Sequence, residues 1–207
     1  MSSAAPSFPS PPRGEELPLD DGEPMETQRH RDQMIILIES LREGCPDWPM
    51  FIGGNMFVYF SQTQSRKNEF RGPDLFVVLD VSRSERKSWV AWEEGGRLPD
   101  IVIELVSEAT AVQDRGEKKE LYARVMRVGE YFLFDPFSKE LEGFDLNAVT
   151  KKYSPKPCNA AGHLACQQLG LELGLCRHGY GDVDTEWLRW YRRDGTLLPL
   201  AKERVDE

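Results

Sequence analysis

The sequence predicts an α/β domain with a central mixed β-sheet flanked by α-helices. Three observations predict it. Continuous apolar runs at 75–81 (LFVVLDV), 101–106 (IVIELV) and 130–136 (EYFLFDP) mark strands covered on both faces, because a strand with one wet face alternates polar and apolar residues. A helical segment between the second and third runs makes a strand–helix–strand unit, which requires parallel pairing and a right-handed crossover. An amphipathic stretch ahead of all three supplies a helix to cover the sheet.

The elements follow in order. Residues 1–28 hold six of the 14 prolines with serines and acids, too little apolar surface to offset ordering entropy, and are expected to be a disordered Pro-rich acidic tail. The folded domain spans 29–200, with 201–207 as a short C-terminal tail. From His30, the residues Met34, Ile35, Leu37, Ile38 and Leu41 recur with helical spacing, ending near Gly44 and Pro46. MFIGGNMFVYF at 50–60 suits a strand or a hairpin around Gly53-Gly54. Gly72-Pro73-Asp74 then introduces the first apolar run. After the second run, Asp114 and Glu117 have the spacing of a helix capping box, Leu121, Val125 and Val128 form an apolar stripe, and Gly129 ends the helix. Toward the C-terminus, 171–177, 187–192 and the Asp194-Gly195 turn suggest antiparallel strands at the sheet margin.

With 207 residues the chain can build a real core. It has no apolar run of the roughly 18–20 residues that span a bilayer, nor the apolar core of a signal peptide, so a cytoplasmic protein with no membrane contact is expected. Four scattered cysteines argue against a disulfide scaffold. The net charge is −9, of which −4 falls in residues 1–32, so any phosphate-binding site must be a local cleft and not a broad basic face.

Two acids stand in surroundings wrong for a solvated charge. Glu104 sits inside IVIELV, where an ionised carboxylate costs several kcal/mol unless paired, hydrogen-bonded or metal-bound. Asp74 follows Pro73 at the entry to the preceding buried run, and adjacent strands would bring the two carboxylates together. A hard divalent cation relieves their repulsion, which implies Mg²⁺. The bland alternatives are a turn role for Asp74 and an Arg or Lys partner for Glu104. Asp100 reads as a turn residue and Asp80 as a sheet-edge one. On the helix that follows, Lys118 and Tyr122 are four apart and share a face that can look toward the carboxyl end of the preceding strand. Lysine there could orient or deprotonate a water, or stabilise charge on a phosphate oxygen; the alternative is a solvated charged face. Cys158, His163, Cys166, Cys176 and His178 do not have a usual zinc spacing. The sequence has no Gly-rich phosphate loop, G-x-S-x-G or H-E-x-x-H motif.

The order GPDLFVVLDV, WVAWEEGGRLPDIVIELVSEAT, DRGEKKELYARVMRVGEYFLFDP resembles the Uma-two family, a branch of the PD-(D/E)XK nuclease superfamily with a restriction-endonuclease-like fold. The resemblance covers about residues 30–200 and is specific over 72–136. It implies that Asp74 is the aspartate of the PD motif and Glu104 the acid of the second motif, both ligands of Mg²⁺ or Mn²⁺. Val106 stands where the superfamily pattern has lysine, and the resemblance moves that lysine to Lys118, with Tyr122 one turn on. The superfamily's first helix often adds a glutamate, for which Glu39 is the candidate. The implied activity is metal-dependent hydrolysis of DNA. Affinity would come from Arg66, Lys67, Arg71, Arg83, Arg86 and Lys87, or from a homodimer. Two other readings stay open: a catalytically idle nucleic-acid or protein-binding module, and a small-molecule phosphodiesterase on the same scaffold.

Overall fold

The computed structural model describes residues 11–17, 27–62 and 72–204. In chain order these hold α1 (Gln28–Gly44), β1 (Met50–Gly54), β2 (Val58–Tyr59), β3 (Leu75–Leu79), β4 (Trp89–Val90) and β5 (Ile101–Leu105). A helix over 111–126, α2, is followed by β6 (Glu130–Phe134), β7 (Leu141–Asn147), β8 (Lys152–Pro155), β9 (Leu164–Cys166), β10 (Leu171–Tyr180) and β11 (Val183–Arg192). Six strands form the central sheet in the order β1-β3-β5-β6-β7-β8. Only β5 and β6 pair in parallel, joined by α2, and the remaining neighbours are antiparallel, so the sheet is mixed. The three continuous apolar runs are its buried middle, as their composition predicts.

Side chains alternate between two cores. Ile101, Ile103, Leu105, Phe132 and Phe134 face α1 and the second sheet, formed by β9, β10 and β11. Val102, Val106, Tyr131 and Leu133 face α2 through Tyr122 and Met126. α1 starts at Thr27, whose hydroxyl accepts from the His30 amide. Its buried stripe is turned slightly from the sequence reading: Ile36 is enclosed with Trp187 and Leu200, while Ile35 is partly exposed, because β11 covers a second side of the helix.

Several expectations are corrected. Residues 50–60 do not form a hairpin: β1 pairs with β3, and β2 pairs with β4 in a separate two-stranded sheet. Gly53 lies within β1, where a Cβ would fall 2.3 Å from the Phe76 ring, so its smallness serves packing and not a turn. The C-terminal strands make their own sheet and do not extend the central one. Asp194-Gly195 lies beyond β11, and the β10–β11 turn is at Gly181, in the left-handed region at φ +55°. β7 and β8 had no counterpart in the sequence reading.

The described parts of both terminal tails pack against the domain. Within the segment expected to be disordered, Gly14–Glu16 forms a 3₁₀ turn, and Leu17 packs on Phe57, Tyr59 and Val90. The Trp92 indole donates to the Pro12 carbonyl at 3.0 Å. At the other end, Ala201–Arg204 is a 3₁₀ turn, held by buried Arg189 donating to Glu203 at 2.9 Å and to the Leu198 carbonyl at 2.8 Å.

Candidate active site

Asp74 immediately precedes β3 and Glu104 is the fourth residue of β5. Because β3 runs antiparallel to β5 with Leu75 opposite Ile103, the register sets these two acids side by side. Asp74 accepts a 2.7 Å hydrogen bond from the Leu105 amide, and its own amide approaches Glu104 Oε2 at 3.4 Å. Glu104 is enclosed at 1% exposure, whereas Asp74 is partly exposed, so the pair meets solvent on the Asp74 side.

The helix α2 supplies the rest. It is α-helical at Ala111–Gln113 and Lys119–Leu121, and π-helical at Asp114–Lys118 and Tyr122–Met126. A π turn bonds i to i+5 and is wider than an α turn, so residues four apart stay close to one line along the helix. Asp114, Lys118 and Tyr122 therefore all point at the sheet. Lys118 Nζ lies 2.7 Å from Asp114 Oδ1 and 3.4 Å from Glu104 Oε2. The Tyr122 hydroxyl donates to Glu104 Oε1 at 2.7 Å. Behind them Tyr131 packs tilted against Tyr122, with ring centroids 5.3 Å apart, and donates to the Asp114 carbonyl at 2.9 Å, occupying a backbone acceptor of the π turn.

Three carboxylates thus surround one ammonium, and the electrostatics follow from that excess. Burial pushes the Glu104 carboxyl up to about 8, with Lys118 pulling it down and Asp74 and Asp114 pushing it further up. Burial also raises Asp74 above the ordinary carboxylate range, against the Leu105 amide and Lys118. For Lys118 burial acts downward, but Glu104 and Asp114 outweigh it and hold the ammonium above its ordinary value. Tyr122 is raised by burial and by the Glu104 charge, so it stays a hydroxyl donor.

All four residues singled out in the sequence, Asp74, Glu104, Lys118 and Tyr122, come together here. Asp114 was missed as a member: it read as a cap, but it lies inside the helix, buried, and faces Lys118. Its repeat of the four-residue spacing, Asp114, Lys118, Tyr122, was the available signal. The predicted apolar stripe also shifts, since Val125 is half-exposed and Tyr122, Ala123 and Met126 are buried instead. The helix ends at Met126, with Arg127 left-handed at φ +55°, ahead of Gly129.

Other candidates lie elsewhere. Glu39 accepts from the Ala201 amide at 2.9 Å and serves the C-terminal turn. Asp100 accepts from the Leu79 amide at 2.8 Å, pinning β3 to the start of β5. Arg83 donates to the Trp48 and Cys45 carbonyls, and Arg86 pairs with Glu94 and stacks on Phe51 and Trp89, so both are spent on the 82–88 loop. Arg66, Lys67 and Arg71 lie outside the described residues. Cys166 is buried against Glu130, His163 stacks on Tyr191 and contacts Glu172 at 3.1 Å, and Cys158 is exposed. Among the described residues no group of three or more His, Cys, Asp or Glu side chains is arranged around a metal position. A two-carboxylate site does not need one, because Mg²⁺ is commonly held by one or two carboxylates with waters and substrate phosphate.

Fold and site together define a mixed α/β protein with a buried acidic pair and an adjoining helix-borne lysine. The chain belongs to the Uma2 family, whose model, described as "Putative restriction endonuclease", matches residues 8–178. That span begins ahead of the packed 11–17 segment. Among solved structures the chain is similar to one titled "Crystal structure of a putative nuclease belonging to DUF820 from Anabaena variabilis ATCC 29413", at 11% identity and a TM-score of 0.45, covering 66% of this chain and 74% of that one. No curated protein matches it. Among the described residues no helix is long and apolar enough to cross a membrane.

Proposed function

We propose that the protein is a metal-dependent endonuclease that hydrolyses phosphodiester bonds in DNA. The observation that carries this reading is the charge excess at the Asp74–Glu104 pair. Three buried or half-buried acids share one lysine, and burial with the Asp74 and Asp114 charges disfavours the ionised form of Glu104, a cost that a further cation would relieve. Asp74 and Glu104 are hard oxygen donors in contact, with an open side at Asp74, and they fit Mg²⁺ or Mn²⁺. Bound there, the ion supplies charge neutralisation at the scissile phosphate and an acidified water.

The chain's own groups have distinct tasks. Tyr122 and the Leu105 amide hold the two carboxylates in place, so little reorganisation is needed on substrate binding. Lys118 remains an ammonium, so it acts as a charge and hydrogen-bond donor toward a phosphate oxygen and not as a base. Its side chain is 18% exposed and so is not sealed from solvent. Asp114 keeps it aimed when Glu104 is engaged elsewhere. Membership of a family described as restriction endonucleases supports DNA as the substrate.

The test is cleavage of plasmid and single-stranded DNA in Mg²⁺, Mn²⁺ and EDTA, with Glu104→Ala purified identically. Metal-dependent cleavage lost in the variant is expected. Equal cleavage by both proteins would refute the assignment, and hydrolysis of a chromogenic phosphodiester without DNA cleavage would move the substrate to small molecules.

A further inference from the structure

At the rim where β5 and β6 end, the first turn of α1 meets the β6–β7 connection. His30 Nε2 lies 3.4 Å from the Val106 carbonyl, two residues past Glu104, and so anchors that turn at the end of β5. Across from it stands Phe137, 53% exposed. The Phe137 backbone is fixed by Asp135 Oδ1, which accepts from the Phe137 amide at 2.8 Å and the Ser138 amide at 3.1 Å, and the ring packs against the His30 ring, 5.8 Å away centroid to centroid. The Arg29 guanidinium sits over the ring, 4.6 Å from its centroid.

We propose that Phe137 and Arg29 form a stacking platform for an unpaired base of a DNA strand whose backbone passes Asp74 and Glu104. This rests on the nuclease reading and names its substrate as DNA with single-stranded character. A lone exposed aromatic is ordinary on a protein surface. This one differs in being locked by an Asx turn, carrying a guanidinium, and sharing the sheet rim with the acidic pair. A preset ring loses little freedom when a base stacks on it, and stacking tolerates any base because each has a π face. Arg29 adds a cation to the platform, which matters in a chain of net charge −9 that has no broad electrostatic attraction to offer. The Asp135 carboxylate beside them is already committed to the turn amides.

The test is fluorescence anisotropy with a labelled oligothymidylate of about 12 nucleotides, within the site sizes of single-strand binders, and with a duplex of equal length, in Ca²⁺. Phe137→Ala should weaken single-strand binding about tenfold and duplex binding less, while Phe137→Trp should bind like the wild type with its indole fluorescence quenched. Arg29→Gln should weaken both and flatten the salt dependence. Single-strand affinity unchanged in Phe137→Ala would overturn the platform while leaving the nuclease reading intact if the wild type still cleaves. A wild type that neither binds nor cleaves DNA would overturn both. Phe137 is exposed and contributes no core contact, so circular dichroism should show the variants folded.

Discussion

At Glu104 a carboxyl group enclosed by strand side chains must either hold a proton or meet a cation. Its folded pKa, near 8, lies above the unfolded value near 4.5. The stabilisation from its protonation is therefore fully present below pH 4.5 and is lost as pH rises through 8. The metal-free protein should lose thermal stability between those limits, and Mg²⁺ should raise the melting temperature far more at pH 8.5 than at pH 6, because only the ionised pair binds it. Glu104→Gln should flatten this profile and remove the Mg²⁺ response, and a scan of melting temperature against pH reads both. Lys118→Met should abolish cleavage with divalent-ion binding retained, and should cost roughly 3 kcal/mol of stability above pH 8 by leaving acids buried without a partner. Denaturant titration at pH 8.5 measures the cost. Asp114→Asn should slow cleavage by about tenfold to a hundredfold and also weaken divalent-ion binding, since it releases the lysine and removes one of the three carboxylates whose excess favours a cation, and calorimetric titration reads the affinity.

The element that decides the site is α2. Its two π turns bring Asp114, Lys118 and Tyr122 onto one line, and this is where the sequence was least legible. An α-helical reading of 111–128 makes Val125 a core residue and Asp114 a cap, and both assignments fail because each π turn adds a fraction of a residue to the repeat. Nothing in residue composition announces a π turn. Lys118 and Tyr122 were still legible, because a four-residue spacing keeps two side chains on one face in either geometry. The buried strands β3 and β5 were legible for a simpler reason: an apolar run opened by Gly-Pro-Asp or Leu-Pro-Asp is too short for a buried helix and too uniform for a strand with one wet face. β7 and β8 were missed since their polar, half-exposed residues give no clean alternation. Gly116 sits in the first π turn with open space where a Cβ would go, so Gly116→Ala should stabilise the protein by about 0.5–1 kcal/mol without altering cleavage. Urea unfolding checks it, and a loss of activity would show that this turn must open during turnover.

Across the molecule, the two larger sheets are joined by a second buried polar cluster on the side away from the acidic pair. Glu130, at the start of β6, accepts from Lys156 at 2.6 Å, from the Gln167 and Gln168 amides at 2.8 and 2.9 Å, and from the Cys166 thiol. Lys156 also bonds Asp145 on β7. Here Lys156 meets one fully buried acid, Glu130, while the second, Asp145, is 43% exposed to water, unlike the Asp74–Glu104 centre with its buried excess of acid, and that contrast separates a structural tie from a binding site. Lys156→Met should destabilise the fold by about 3 kcal/mol and lower the melting temperature by about 10 °C, with Glu130→Gln restoring part of the loss in the double variant. At the acidic pair, a divalent cation should displace the proton that burial favours on Glu104. Calorimetric titration of Mn²⁺ at pH 7, in two buffers of different ionisation enthalpy, reads that exchange. One binding event releasing about one proton is expected, absent in Glu104→Gln. Binding that releases no proton and survives Glu104→Gln would show that the cation is held elsewhere and that the pair is not a metal site.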